Sequence, residues 1–380
     1  MNRNSNTLIK ILLFLTFFFL SADLLSIKIE SMTIRLANLI SFFLIVLILP
    51  EIKINIKTTV TLCVFMSIVI MTSFFSENFF RTAYYVFYLG YLLVFFVLVI
   101  PSMNSEVVMK LFHSSHLLIA ISTVMVWVLS SFGFSGFSWM LDPNLNFNRV
   151  RLWTYEPSYL ATYLSTYLLF LVLSEEVFSL RKLSRLGIVT LAVGCTFSVT
   201  GIVGILISYG FFMFRILNIG KTRIAIMGIL AVSGFSWLFT RMDVIGYLIK
   251  RFALAGNLSA VGGSRVAQYA NLWNVFLNNV WFGVGLNAIV PREDFWISNV
   301  TLEILATGGL FLLFAFLILL GYVLKLPSHG SPVVRALKMA LLFHIVLLQI
   351  NQSYIRLYTW LYIGLILSVS ICYRKNLDTT

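Results

Sequence analysis

A chain of 380 residues that is 60% hydrophobic and only 11% charged, with a mean hydropathy of +0.96, lies outside the composition of water-soluble domains. Its net charge of +13, from 27 Lys plus Arg against 14 Asp plus Glu, does not argue for nucleic acid. Most of the basic residues fall in short segments between apolar runs, where they set orientation and meet anionic lipid headgroups.

The apolar runs Ile9 to Leu20, Phe42 to Leu49, Tyr84 to Ile100 and Leu310 to Tyr322 reach, with their flanks, the length needed to cross a hydrocarbon core of ~30 Å. None alternates strictly, and in lipid a helix satisfies its own backbone, so helices are expected. The first run lacks the small-residue cleavage pattern of a signal peptide. Cys63, Cys195 and Cys372 sit in or beside apolar segments, where small hydrophobic packing is expected and a disulfide is not.

Arg3 and Lys10 place the N-terminus on the cytoplasmic side. Turns near Lys28, Lys53, Glu77, Lys110 and Asp142 then put the Asp142 segment outside, and a span from about Ser158 to Ser174 returns the chain to Arg181, Lys182 and Arg185. The stretch from Leu186 to Phe214 admits one long helix or two short ones joined near Val199, Thr200 and Gly201. Arg215, Lys221 and Arg223 follow it, so only the hairpin keeps both basic clusters inside, and only the hairpin keeps Lys325, Arg335, Lys338, Arg374 and Lys375 there too. The expectation is an all-α polytopic bundle of roughly twelve spans with both termini cytoplasmic. Residues 1–380 form a single integral membrane domain without internal repeats or low-complexity tracts. External segments cover about 133–157 and 241–299.

These two segments hold Arg149, Arg151, Arg241, Lys250, Arg251, Arg265 and Arg292, against the positive-inside trend. Long loops tolerate such charge; the competing reading is an anion site, for which the arginine fork suits phosphate. In RVRLWTYEPSYLATY, residues 149–163, Pro157 fits the first turn of a helix and leaves Glu156 at its N-terminus. The helix dipole explains a carboxylate there. A general base acting on a sugar hydroxyl is the functional alternative, opposed by Arg151 and the dipole and favoured by desolvation at the bilayer edge.

In the larger segment a Gly- and Ser-rich stretch, AGNLSAVGGS, precedes SRVAQYANLWNVFLNN. There Val266, Ala270, Trp273, Leu277 and Val280 recur at helical spacing, with Gln268, Asn271, Asn274 and Asn278 on the other side. This predicts an amphipathic surface helix capped by Ser264, with Arg265 in its first turn, serving either as an ordinary lid or to position substrate. Gly283 and Gly285 offer close backbone approach, and Arg292, Glu293 and Asp294 precede the next span.

Other chemistries fall away. Gly220, Lys221 and Thr222 imitate the end of a P-loop, but Arg215 stands where its first glycine belongs. No paired-aspartate motif or serine nucleophile elbow is present, and His113, His116, His329 and His344 fall on the cytoplasmic side or inside spans, so neither metal nor cofactor is expected.

YEPSYLATY beside an arginine pair, the TFSVTGIVGIL turn, the RxxxYxNLWNVFLNNVWFGVGLN segment and NVTLEILATGGLFLLF together resemble the Wzy-type O-antigen polymerase and O-antigen ligase superfamily of bacterial envelope enzymes. The resemblance covers roughly Arg149 to Phe314. It implies a metal-independent glycosyltransferase of the bacterial inner membrane that moves glycan from undecaprenyl pyrophosphate to an acceptor hydroxyl on the external face, making O-antigen, capsule or exopolysaccharide. It implies catalytic roles for Glu156, Arg151 and Arg265, and substrate contacts from Arg149, Tyr159, Arg241, Arg251, Tyr269 and Arg292. Its implied partners are the lipid-linked oligosaccharide donor and acceptor, membrane lipid and a chain-length regulator. Ligases often place a histidine shortly before the late span; here Ser298 and Asn299 stand there, which favours polymerase. A ligase transferring glycan to lipid A core, and a flippase for the lipid-linked sugar, are the alternatives. Against the flippase, ionisable residues such as Asp23, Arg35 and Glu303 fall near span ends, with His344 the main exception.

Overall fold

A computed structural model describes residues 3–29, 32–52, 55–76, 78–142, 149–174, 179–216, 262–286, 299–328, 330–351 and 356–377. The helices are α1 (Arg3–Phe18), α2 (Leu36–Ile48), α3 (Ile56–Ser73), α4 (Phe79–Ser102), α5 (Ser105–Ser131), α6 (Pro157–Ser174), α7 (Leu180–Cys195), α8 (Val199–Ile216), α9 (Gly262–Asn278), α10 (Val300–Lys325), α11 (Pro332–Asn351) and α12 (Leu357–Leu377). Among the described residues six helices, α3, α4, α5, α6, α10 and α11, are long and apolar enough to cross a membrane. Shorter apolar stretches fall in α1, α2, α8 and α12. Residues 217–261, part of the stretch over which roughly twelve spans were expected, lie outside the described residues.

Asparagine starts many of these helices. The side chains of Asn55, Asn78, Asn104 and Asn299 each accept from backbone N–H groups of the first turn, which otherwise lack partners. Asn104 corrects one expected turn: its Oδ1 accepts from Glu106 N at 2.9 Å, so the break falls there and Lys110 lies inside α5. The chain is mostly helical, as expected, with one short exception among the described residues. The turn near Lys28 is a two-stranded antiparallel hairpin, β1 (Ser26–Ile29) and β2 (Met32–Arg35), in register Ser26↔Arg35 and Ile29↔Met32. Its isoleucines and threonine suit a strand, and at so short a length no periodicity announces it.

The stretch from Leu186 to Phe214 is a helical hairpin, as its flanks predicted. α7 ends at Cys195, α8 begins at Val199, and Thr190 Oγ1 lies 3.0 Å from Tyr209 OH across the pair. α8 presses on the central helix α6 through small residues; a Cβ at Gly204 would meet Ser165 Oγ at 2.3 Å. Almost all of α6 is buried, between α7, α8 and α11.

Two features depart from the expected pattern in the later chain. α10 is interrupted at Gly309, where φ is +63°. The carbonyls of Ala306 and Thr307 accept instead from Val284 N at 3.0 Å and Gly285 N at 2.8 Å, so the segment after α9 repairs the broken helix. A Cβ at Gly283 would lie 2.4 Å from Gly308 N, which is the close approach its glycine permits. The second departure is the burial of Gln268 on α9. Gln268, Leu272 and Phe276 are buried, whereas Trp273 and Leu277, at 45% and 53% exposed, face away from the bundle. Trp273 and Leu277 belong to the apolar side that the amphipathic reading turns toward the membrane, whereas Gln268, from its polar side, faces the bundle. α9 also starts at Gly262, so Ser264 lies within it rather than capping it.

Cross-helix contacts define two ends of the bundle. Thr58 Oγ1 at the start of α3 lies 2.8 Å from Tyr322 OH near the end of α10. At the other end Tyr163 OH donates to the carbonyl of Phe17, close to the end of α1.

Candidate functional site

The second end carries the loop before α6. Arg149 is 8% exposed; its Nε donates to the Thr196 carbonyl at 2.8 Å and its Nη1 to Asp142 Oδ2 at 3.0 Å. It therefore pins the loop to the α7–α8 turn. Arg151, two residues on, donates to the carbonyls of Tyr155 at 3.4 Å and Trp139 at 3.2 Å, and its Nε is buried with no partner. Between them and Glu156, Leu152 holds a φ of +49°, a left-handed conformation uncommon for a leucine. Trp153 fixes this bend: its ring lies 5.0 Å from that of Phe18, and its carbonyl accepts from Leu24 N at 2.8 Å.

Glu156 is exposed, and its Oε2 accepts from Ser158 Oγ at 2.9 Å. α6 begins at Pro157, as the proline predicted. One turn further, Tyr159 lies beneath the guanidinium of Arg356, whose Cζ is 4.4 Å from the ring centroid. Glu156 and Arg356 both act electrostatically on Tyr159.

Arg356 leads to a centre that sequence reasoning missed. Its Nη1 is 2.5 Å from Asp23 Oδ1, an ion contact whose angle is not that of a hydrogen bond. Arg35 Nε donates to the same Oδ1 at 2.8 Å, and Arg35 Nη1 donates to Tyr88 OH at 2.7 Å. Side-chain exposure is 3% for Asp23, 14% for Arg35 and 15% for Arg356, and Asp23 Oδ2 is buried without a partner. Two guanidinium groups thus share one carboxylate, leaving a surplus positive charge in a sheltered place. Burial opposes the charge on Arg356, but Asp23 and Tyr159 more than offset it and its pKa is raised. Arg35 is likewise raised against burial, by Tyr88 and Asp23. A raised cation contributes stability below its unfolded value and loses it only above, so both stay charged at any physiological pH.

The structure brings Arg149, Arg151, Glu156 and Tyr159 to this one end. Tyr269 is half-buried on α9. Arg241, Arg251 and Arg292 lie outside the described residues, and Arg265 is described only as part of the α9 backbone. Asp23 and Arg35 were legible as charges near span ends; the signal for Arg356 was a lone arginine between the apolar α11 and α12.

Neither a protein-family model nor a curated protein matches the chain. Chemically, the arrangement offers a guanidinium pair with charge to spare and, three residues before the tyrosine that one of them covers, an exposed carboxylate. Guanidinium forks recognise phosphate or carboxylate, and the exposed carboxylate can accept a proton or a hydroxyl hydrogen bond.

Proposed function

We propose that the chain is a polysaccharide polymerase, joining oligosaccharide repeats carried on polyprenyl pyrophosphate at the outer face of a bacterial cytoplasmic membrane. The observation that carries this reading is the convergence of Arg35 and Arg356 on Asp23, with Arg356 over the ring of Tyr159, three residues beyond Glu156. A pyrophosphate diester brings the anionic charge that two guanidinium groups sharing one carboxylate leave unbalanced. The sequence resemblance supplies the rest of the assignment, including the roles of Arg151 and Arg265.

In this scheme the acceptor hydroxyl attacks the anomeric carbon of the donor sugar and Glu156 takes its proton. A bond forms from the acceptor oxygen to the anomeric carbon, and the bond from that carbon to the pyrophosphate oxygen breaks. Arg151, Arg356 and Arg265 stabilise the charge that develops on the departing pyrophosphate, as a preorganised clamp. Tyr159, already stacked on Arg356, presents an aromatic edge to the sugar. The sidedness has support from charge: Lys57, Arg181, Arg185, Lys325 and Arg335 stand at the helix ends that the expected topology turns away from the site, the arrangement that a cytoplasmic face favours.

A flippase for the same lipid-linked sugar is the second reading, favoured by His116 and His344, which are fully buried inside the bundle. A deletion strain separates the readings by mass spectrometry of its glycans. Loss of a polymerase leaves single repeats at the surface; loss of a ligase leaves none there and strands polymer on its carrier; loss of a flippase traps single repeats inside. The polymerase account expects the first result and is overturned by either of the others. Arg265→Ala is expected to abolish polymer while the protein still reaches the membrane.

A further inference from the structure

Beneath the site, past Tyr159, lies a polar interior that the glycan-transfer scheme leaves unused. Tyr159, Tyr163 and Tyr167 recur every fourth residue of α6 and so share one face of that buried helix. His116 on α5 meets this face, its ring centroid 4.5 Å from Tyr163 and 4.6 Å from Tyr167. From the other side come α12 and α11: Tyr358 lies 5.6 Å from Tyr163 and 5.6 Å from His344, and Tyr362 lies 6.1 Å from His344.

Hydrogen-bond accounting fixes what these groups offer. The Nδ1 of His116 is 2.8 Å from the carbonyl of Phe112, which only accepts, so Nδ1 carries the proton and Nε2 is a bare acceptor. Thr166 Oγ1 donates to the Thr162 carbonyl at 2.8 Å and therefore accepts from His344 Nδ1 at 3.1 Å, leaving His344 Nε2 an acceptor as well. His116 Nε2, Tyr358 OH and Tyr362 OH are all buried with no partner. Two phenol donors and an imidazole acceptor are thus left unmatched within one cluster of touching rings. Each costs about 1–3 kcal/mol if dry, and phenylalanine would pack as well, so their retention points to internal water.

The cluster also connects the two ends. Tyr358 feels the charges of Arg356 and Asp23 at the site. At the far end Tyr167 OH is 3.0 Å from His113 Nδ1, and His113 lies on α5, which packs along α7, the helix whose first turns carry Arg181, Lys182 and Arg185. We infer that this column of tyrosine and histidine holds internal water and conducts protons between the Asp23–Arg356 site and the His113 end of the bundle. Each hydroxyl or water accepts a proton on one side as it releases another, His116 Nε2 accepts and returns one, and no bond between heavy atoms changes. The charged groups bounding the path are Asp23, Arg35 and Arg356 at one end and Arg185 at the other. The inference does not rest on the polymerase reading.

The test uses the full chain in lipid vesicles that enclose a pH-sensitive dye, with a potassium diffusion potential imposed through valinomycin. Proton flux is expected to exceed that of protein-free vesicles. The double variant Tyr358→Phe, Tyr362→Phe removes only two unpaired oxygens and should keep its thermal melting temperature. Its flux should fall at least about tenfold, the change that 1.4 kcal/mol on a barrier produces. His116→Phe should lower flux similarly. Wild-type flux equal to that of empty vesicles, or a folded double variant that conducts like wild type, overturns the inference.

Discussion

Two pairs of arginines at the same end of the bundle show how little chain proximity says about role. Arg149 and Arg151 are two residues apart, yet one is consumed by Asp142 and a carbonyl while the other makes only two long contacts to carbonyls. Arg35 and Arg356 stand near opposite ends of the chain and meet on a single oxygen of Asp23. The first pair separates into a fastener and an available cation; the second is one electrostatic unit.

The sharpest break of this comparison is Asp23→Ala, which strands two buried cations. It should destabilise the folded chain by about 3–5 kcal/mol, seen as an early melting transition in detergent. Adding Arg356→Ala to it should restore part of the loss, because one of the two stranded charges is gone; a purely additive result would deny that the residues act as a unit. Next in size, Arg149→Ala leaves Asp142 and the Thr196 carbonyl short of a donor and should cost about 2–3 kcal/mol, with glycan output falling only as protein is lost. Gly309→Ala follows at about 1–3 kcal/mol, since its φ of +63° suits only glycine and the added Cβ would meet Trp281 O at 2.3 Å. Arg151→Ala completes the series in the opposite sense. Its melting should shift by no more than about 0.5 kcal/mol, yet polymer should disappear, separating it from Arg149 in one pair of measurements.

Local rules carried the sequence reading where the physics is local. Pro157 marked the start of α6, basic flanks marked the α7–α8 hairpin, and Gly283 and Gly285 marked a close backbone approach. Features set by distant partners or by the solvent were not legible. The burial of Gln268 on α9 depends on the helices it packs against, the break in α10 on a segment that arrives to satisfy its carbonyls, and the Asp23 centre on residues from both ends of the chain. The spacing of Tyr159, Tyr163 and Tyr167 was visible, but its histidine neighbours come from α5 and α11.

The most direct test of the site is the length of surface glycan made by cells whose only copy carries Arg356→Ala. That change leaves Asp23 paired with Arg35, so the protein should accumulate in the membrane at its normal level. The polymerase account predicts that the glycan collapses to single repeats and that Arg356→Lys, which keeps charge but loses the planar fork, recovers it only in part. Polymer of unaltered length from Arg356→Ala would contradict the account.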